Sequence, residues 1–324
     1  MKQSDVKPAF LGKVGARPDR AQALRCGRTA RRWRGLVSRR ARVDAAAVLA
    51  HAAFLSPDTI PHVYDGFCEG WTGEPIGAPA LATESMASLS TPDGLWDEYW
   101  AIAEDAIAGK LDAIQITART AELGGTLGES YLSRTAKAAK AYPGVTGIAE
   151  DPLPNRIELG TLAACPQGSL GRTFHDLIVD NTFDLEVLDR DEIGLSALPT
   201  PLDYLNTRIL QSHDLWHIVA GYETTALHEI ALSAFQMAQF GHAYSAQFLA
   251  VMAAVGAITP SIGYPVLMTT IVSAYVHGRR SPPLITIDWE SEWGQPTEAI
   301  RSKYGIEPYQ RPYPADLIEQ RLSA

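Results

Sequence analysis

From Ile230 to Gly278 the chain carries no Asp, Glu, Lys or Arg, a run of 49 residues in which only His242 and His277 titrate near neutral pH. A surface helix needs a polar face toward water. Helices here must therefore be buried in protein, rest against lipid or line an apolar cavity. A membrane-spanning helix needs about 20 consecutive apolar residues. Gly241-His242, Pro260 and Pro265 divide the run, and the piece from Ala246 to Thr259 is only 14 residues long. A spanning helix is not expected. A structural core is the simplest reading. The sharper one is a core around a long apolar ligand, or a face resting on a bilayer. No alternation of apolar and polar residues marks an extended sheet.

Just before this run stands His213-Asp214-Leu215-Trp216-His217, followed by Gly221-Tyr222 and then His228-Glu229. At 3.6 residues per turn, His213 and His217 lie one above the other, and Asp214 neighbours His217 across a turn. Two imidazoles and a carboxylate converge on one helix edge. On one straight helix Glu229 would stand ~18 Å from His217 at ~1.5 Å per residue. Gly221 can end the first helix in a left-handed conformation, Thr224 can cap the next, and a helix-turn-helix returns Glu229 to the histidines. Leu202, Leu205, Ile209, Trp216 and Ala220 repeat at helical spacing, so this edge is partly buried. Buried imidazoles and carboxylates need partners, which points to metal ligands rather than a solvated face. His228-Glu229 opens like a metalloprotease helix, but Leu232 stands where the second histidine is required. His213-Asp214 also suggests a His-Asp phosphohydrolase, for which no further ligand set is present. The expected fold is mainly α: a multi-helix bundle holding a helix-turn-helix metal site and an apolar lipid cavity or face.

The motif His213-Asp214-x-x-His217, eleven residues, then Glu229 resembles the signature of the coenzyme Q biosynthesis protein 4 family. Upstream, Pro166-Gln167-Gly168-Ser169-Leu170-Gly171-Arg172-Thr173-Phe174 is similar to that family's P-x-G-(T/S)-L-G-R-x-(Y/F) segment. Downstream, Gly278-Arg279-Arg280-Ser281-Pro282 and then Trp289-Glu290-Ser291-Glu292-Trp293 are similar to its G-R-R-x-P and aromatic-Glu-x-x-Trp segments. The resemblance runs over about residues 140–307. It implies a metal held by His213, Asp214, His217 and Glu229, zinc first, with iron or manganese as alternatives. It implies a role in ubiquinone biosynthesis as a metal-dependent decarboxylase: oxidative decarboxylation of a polyprenyl-hydroxybenzoate, with hydroxyl replacing carboxylate. The alternative is a non-catalytic scaffold that binds prenyl lipid and organises the other quinone-biosynthesis proteins. Arg279 and Arg280 are candidates to hold the substrate carboxylate through paired hydrogen bonds, although arginines at a helix C-terminus also simply offset its dipole. Glu290 is a candidate partner behind the ligands. Expected partners are a prenylated aromatic acid or quinone precursor, other quinone-biosynthesis proteins and a membrane surface. The expected location is peripheral, on the cytoplasmic side of a bacterial inner membrane or on the matrix side of the mitochondrial one.

The net charge of −9 hides an asymmetry. Residues 1–42 carry 13 Lys/Arg against 2 acids, leaving a body with 15 basic and 35 acidic residues. Such an acidic body argues against nucleic-acid binding. The basic start reads as a disordered segment, a transit peptide or a lipid-touching arm. Residues 43–139 read as a helical N-terminal extension, with a Gly/Pro/Ser/Thr-rich loop over 56–94 and helices over 95–111 and 112–123. Residues 140–324 read as the domain of the resemblance. Cys26, Cys68 and Cys165 lie far apart and form no disulfide framework or zinc pair.

Overall fold

A computed structural model describes residues 5–31, 37–148, 151–186, 188–259 and 263–322. These residues form sixteen α-helices with short 3-10 turns and no β-strand. The first five are α1 (Val6–Val14), α2 (Arg20–Ala30), α3 (Arg39–Leu55), α4 (Ile60–Thr72) and α5 (Leu95–Ile107). Next come α6 (Ala113–Gly125), α7 (Gly128–Ala139), α8 (Val145–Ile148), α9 (Leu159–Ala163) and α10 (Leu170–Asn181). The site and its surroundings are built from α11 (Leu202–Ala220), α12 (Ala226–Phe240), α13 (Ala243–Ile258) and α14 (Gly263–Arg280). The short α15 (Thr297–Tyr304) and α16 (Leu317–Leu322) close the chain. The mainly helical expectation holds.

The uncharged run forms the interior of this bundle. It comprises most of α12, all of α13 and most of α14. Helix α13 packs on α3, α5 and α12, while α14 packs on α12 and α4. Leu249, Ala250, Val251, Ala254 and Ala257 of α13 have no exposed surface. Burial on this scale, at about 25 cal/mol per Å² of apolar surface, is the main driving force for assembling these helices. Long polar side chains from other helices reach backbone carbonyls of α13. Arg42 of α3 donates to Gly256 O at 2.9 Å, and Tyr99 of α5 donates to Ala250 O at 2.7 Å. One stripe of α13 stays half-buried: Tyr244, Phe248, Met252 and Val255, spaced one helical turn apart.

Two expectations are corrected in the N-terminal part. The basic start does not read as disordered where it is described: residues 6–14 and 20–30 are helices. Val6, Phe10 and Val14, four residues apart, bury on α3 and α5, and Phe10 stacks on Tyr99 at 5.3 Å. Net charge was a poor guide because Arg20, Arg25, Arg28 and Arg31 lie on the outer face, while Val6, Phe10 and Val14 face inward. The loop expected over 56–94 contains α4. Its glycines are packing residues rather than turn residues: a Cβ at Gly66 or Gly70 would run into α2 backbone, and one at Gly27 into α4 backbone. These glycines let α2 and α4 approach at close range. Residues 1–4 and 32–36 of the basic start, and the break at Pro260, lie outside the described residues.

Candidate metal centre

Helix α11 presents the histidines. Its inner stripe, with Leu205, Ile209, Leu215, Trp216 and Val219 buried, fixes the rotation of the helix. Gly221 ends it at φ +79°, a conformation glycine adopts at little cost. A Cβ there would also approach Pro308 Cβ at 2.9 Å. The last carbonyls of a helix lack intrahelical donors. Here Arg301 donates to Ile218 O (2.7 Å) and Val219 O (3.0 Å), and the Tyr309 amide donates to Ala220 O (2.8 Å). The end of α11 is therefore clamped by the C-terminal segment.

The chain then turns back into α12, as the spacing predicts. The residue at the helix start is Thr225, one position beyond the expected Thr224. Its hydroxyl does not cap the helix but donates to Ala315 O at 2.9 Å. His228 accepts from the Glu223 amide at 2.8 Å and so braces the turn. Glu229, in the first turn of α12, reaches between the histidines. Its Oε2 lies 3.1 Å from His213 Nε2 and its Oε1 3.2 Å from His217 Nε2. The ligand atoms of His213, Asp214 and His217 lie within 4.8 Å of one another. Glu229 contacts both histidines, while the group within 4.8 Å comprises His213, Asp214 and His217.

The electrostatics tie these groups to each other. Burial opposes ionisation of Glu229, but its contacts with His213 and His217 outweigh it and hold the carboxyl far below the usual range. Burial likewise opposes protonation of His213, and the Glu229 contact overcomes it, raising its pKa. Asp214 moves the other way: burial raises its pKa by more than the two histidines lower it.

Whether a cation fits can be judged at His217. Its Nδ1 lies 3.3 Å from the Tyr222 carbonyl, which can only accept, so Nδ1 carries the proton. Its Nε2 is buried with no hydrogen bond and faces a carboxylate oxygen. A buried lone pair aimed at an anion is costly, and a cation between them removes that cost. Two imidazoles and two carboxylates suit zinc, iron or manganese. The residues present fit a divalent metal.

The family model of coenzyme Q (ubiquinone) biosynthesis protein Coq4 matches residues 114–310, more than half of the chain. The chain belongs to the Coq4 family. The match begins upstream of residue 140, where the motifs alone suggested a boundary, and takes in α6 and α7. Among curated Coq4 relatives, the mitochondrial ubiquinone biosynthesis protein homologue of Drosophila ananassae is 30% identical over 190 residues, 57% of this chain and 68% of the fly protein. The mouse homologue is 28% identical over 165 residues, 47% of this chain and 55% of the mouse protein. The chain thus spans between about half and two thirds of the length of these relatives. A crystal structure of a Nostoc punctiforme protein assigned to ubiquinone biosynthesis aligns with a TM-score of 0.50 at 24% identity. It covers 66% of this chain and 98% of that one, and supports the fold. Helices α1–α5 precede the Coq4 match, and α3, α4 and α5 pack on its uncharged helices α13 and α14.

The other candidate residues have partners elsewhere. Arg279 is buried against Asp65, with Nε 3.0 Å from Oδ1, and donates to Pro79 O at 2.6 Å. Arg280 donates to Ile76 O at 2.6 Å. These contacts tie α14 to α4 and the loop after it, and none involves the His213–Glu229 cluster. Glu290 accepts two hydrogen bonds from Arg208 at 2.6 Å each, which brace α11 one turn before the ligands. Sequence reasoning missed Gln236, which contacts His213, and Tyr222, which receives His217. Gln236 stands seven residues after Glu229, two turns along the same face, and a buried amide in an uncharged helix requires a partner. That signal was present in the sequence.

Proposed function

We propose that this chain is a metal-dependent member of the Coq4 family that carries out oxidative decarboxylation of a polyprenyl-hydroxybenzoate, a hydroxyl taking the place of the carboxylate on the ring. His213, Asp214, His217 and Glu229 would hold the metal. When bound there, a divalent metal supplies Lewis-acid chemistry for a substrate carboxylate or phenolate. The observation that carries the reading is the carboxylate of Glu229 set between two Nε2 atoms, 3.1 Å from that of His213 and 3.2 Å from that of buried His217.

A cleft of about 310 Å³ opens beside His217, lined by Leu177, Ile218, Tyr222, Glu223, Thr224 and Thr225. This is at the small end of ligand pockets (~300–1,000 Å³). It suits a substituted ring and leaves a long prenyl tail outside. The half-buried stripe Tyr244, Phe248, Met252 and Val255 on α13 is the apolar face on which such a tail or a bilayer surface would rest. Among the described residues no helix is long and apolar enough to cross a membrane. The curated relatives are named as mitochondrial, which favours a mitochondrial location over a bacterial one; there the chain would sit on the matrix side of the inner membrane, beside other quinone-biosynthesis proteins.

One observation favours a second reading. Four protein donors can close a tetrahedral shell, and a closed shell is typical of structural metal. The chain would then be a prenyl-lipid scaffold. Incubation with a prenylated hydroxybenzoate under labelled oxygen gas tests the first reading, which expects label at the ring carbon that lost carboxylate. A Glu229→Gln variant separates the two: a folded variant that still supports quinone synthesis favours the scaffold.

A further inference from the structure

Both imidazoles of the centre turn Nδ1 toward protein and Nε2 toward Glu229, but their Nδ1 partners differ in kind. His217 faces a backbone carbonyl, which fixes its proton on Nδ1. His213 Nδ1 lies 2.8 Å from Nε2 of Gln236, an amide nitrogen that can only donate. His213 therefore carries its proton on Nε2, directed at Glu229 Oε2. That tautomer suits the metal-free pair and blocks coordination through Nε2. A carboxamide, unlike a carbonyl, offers a donor and an acceptor on the same carbon. Turned by half a rotation, Gln236 presents Oε1 to His213 and stabilises the opposite tautomer.

The rest of the chain of contacts accommodates that rotation. Ser245 Oγ donates to Gln236 Oε1 at 3.4 Å, and Oγ lies 2.9 Å from His242 Nδ1. With its one proton given to Gln236, Ser245 accepts from His242 Nδ1–H. In the reversed state Gln236 donates to Ser245, Ser245 donates to His242 Nδ1, and the His242 proton sits on Nε2. Each imidazole keeps one proton and no charge is created. Gln236 and Ser245 are buried, so bulk water does not substitute for either contact.

From this geometry we propose that Gln236 is the positioning residue that sets the tautomer of His213, and that the Gln236–Ser245–His242 chain reverses its donor direction when a divalent cation is held. The proposal rests on the metal reading above. Partners of metal-bound histidines usually change affinity about tenfold to a hundredfold when removed.

The test is a Zn(II) titration of ¹⁵N-histidine-labelled full-length protein. Affinity is measured by chelator competition and the His242 tautomer by long-range ¹H–¹⁵N NMR, with folding checked by circular dichroism. In wild type, Zn(II) should move the His242 proton from Nδ1 to Nε2. Gln236→Leu, close to isosteric, should weaken Zn(II) binding about tenfold to a hundredfold and leave His242 unresponsive. Gln236→Glu, an acceptor toward His213 Nδ1–H, should restore affinity to within a few-fold of wild type. Ser245→Ala should keep that affinity and still silence the His242 response. Zn(II) bound by wild type with Gln236→Leu unchanged in affinity, or with a His242 tautomer indifferent to the metal, overturns this proposal alone. No Zn(II) bound by wild type overturns it together with the metal reading.

Discussion

Nε2 of His213 and Oε2 of Glu229 stand 3.1 Å apart, although sixteen residues of chain separate them. On a continuous helix that separation would be ~24 Å. The turn after Gly221 removes it, and the clamps from Arg301 and Tyr309 hold the turn in place. Protonation of His213 adds a positive charge opposite the Glu229 carboxylate, so the strength of the contact must depend on pH.

In metal-free protein Glu229 titrates below, and His213 above, their ordinary values. A depressed carboxyl contributes stability that is present above the unfolded value of about 4.3 and lost as pH falls through the folded one. A raised histidine contributes stability that is present below the unfolded value of about 6.5 and lost as pH rises through the folded one. The two overlap between about pH 4.3 and 6.5. Urea unfolding of metal-free wild type and Glu229→Gln should therefore differ most in that window and converge on either side. A constant difference from pH 4 to 9 would show that the pair does not titrate as a unit.

The Asp65–Arg279 pair joins α4 to α14 with both side chains more than nine-tenths buried, and Tyr275 also donates to Asp65 at 2.9 Å. Removing one partner of a buried pair leaves the other charge uncompensated, at ~3–5 kcal/mol. Asp65→Ala should lose about that much in denaturant unfolding, and Asp65→Asn less. Unchanged stability in Asp65→Ala would free Arg279 for a role at the substrate.

Glycines at the α2–α4 contact oppose two effects. Gly→Ala inside a helix normally gains about 1 kcal/mol from propensity. A Cβ at Gly27 or Gly70 meets backbone oxygen of the facing helix, and overpacking costs ~1–3 kcal/mol. Backbone cannot rotate aside as a side chain does, so the clash should win. Gly70→Ala should lower the melting temperature; a rise would mean that the helices separate without loss.

The sequence made the site far more legible than the N-terminal third. His213, Asp214, His217 and Glu229 obey local periodicity, and Gly221 announces the turn that unites them. The uncharged run likewise announced burial, though not that α3, α4 and α5 from the first third would supply part of the cover. Helix α4 was hidden because Gly66 and Gly70 read as loop residues, whereas their use depends on a second helix that spacing does not reveal. The arginines of the start masked Val6, Phe10 and Val14. Arg279 reads as a free guanidinium until Asp65, 214 residues earlier, is seen beside it.

The central claim is that the four side chains between α11 and α12 hold a metal. Elemental mass spectrometry of purified protein, beside a folded His213→Ala/His217→Ala variant, tests it most directly. Near-stoichiometric metal in wild type and none in the variant is the result expected, and the element found fixes which oxygen chemistry is open to the site. Wild type that folds normally and takes up no metal, even after reconstitution, would contradict the account.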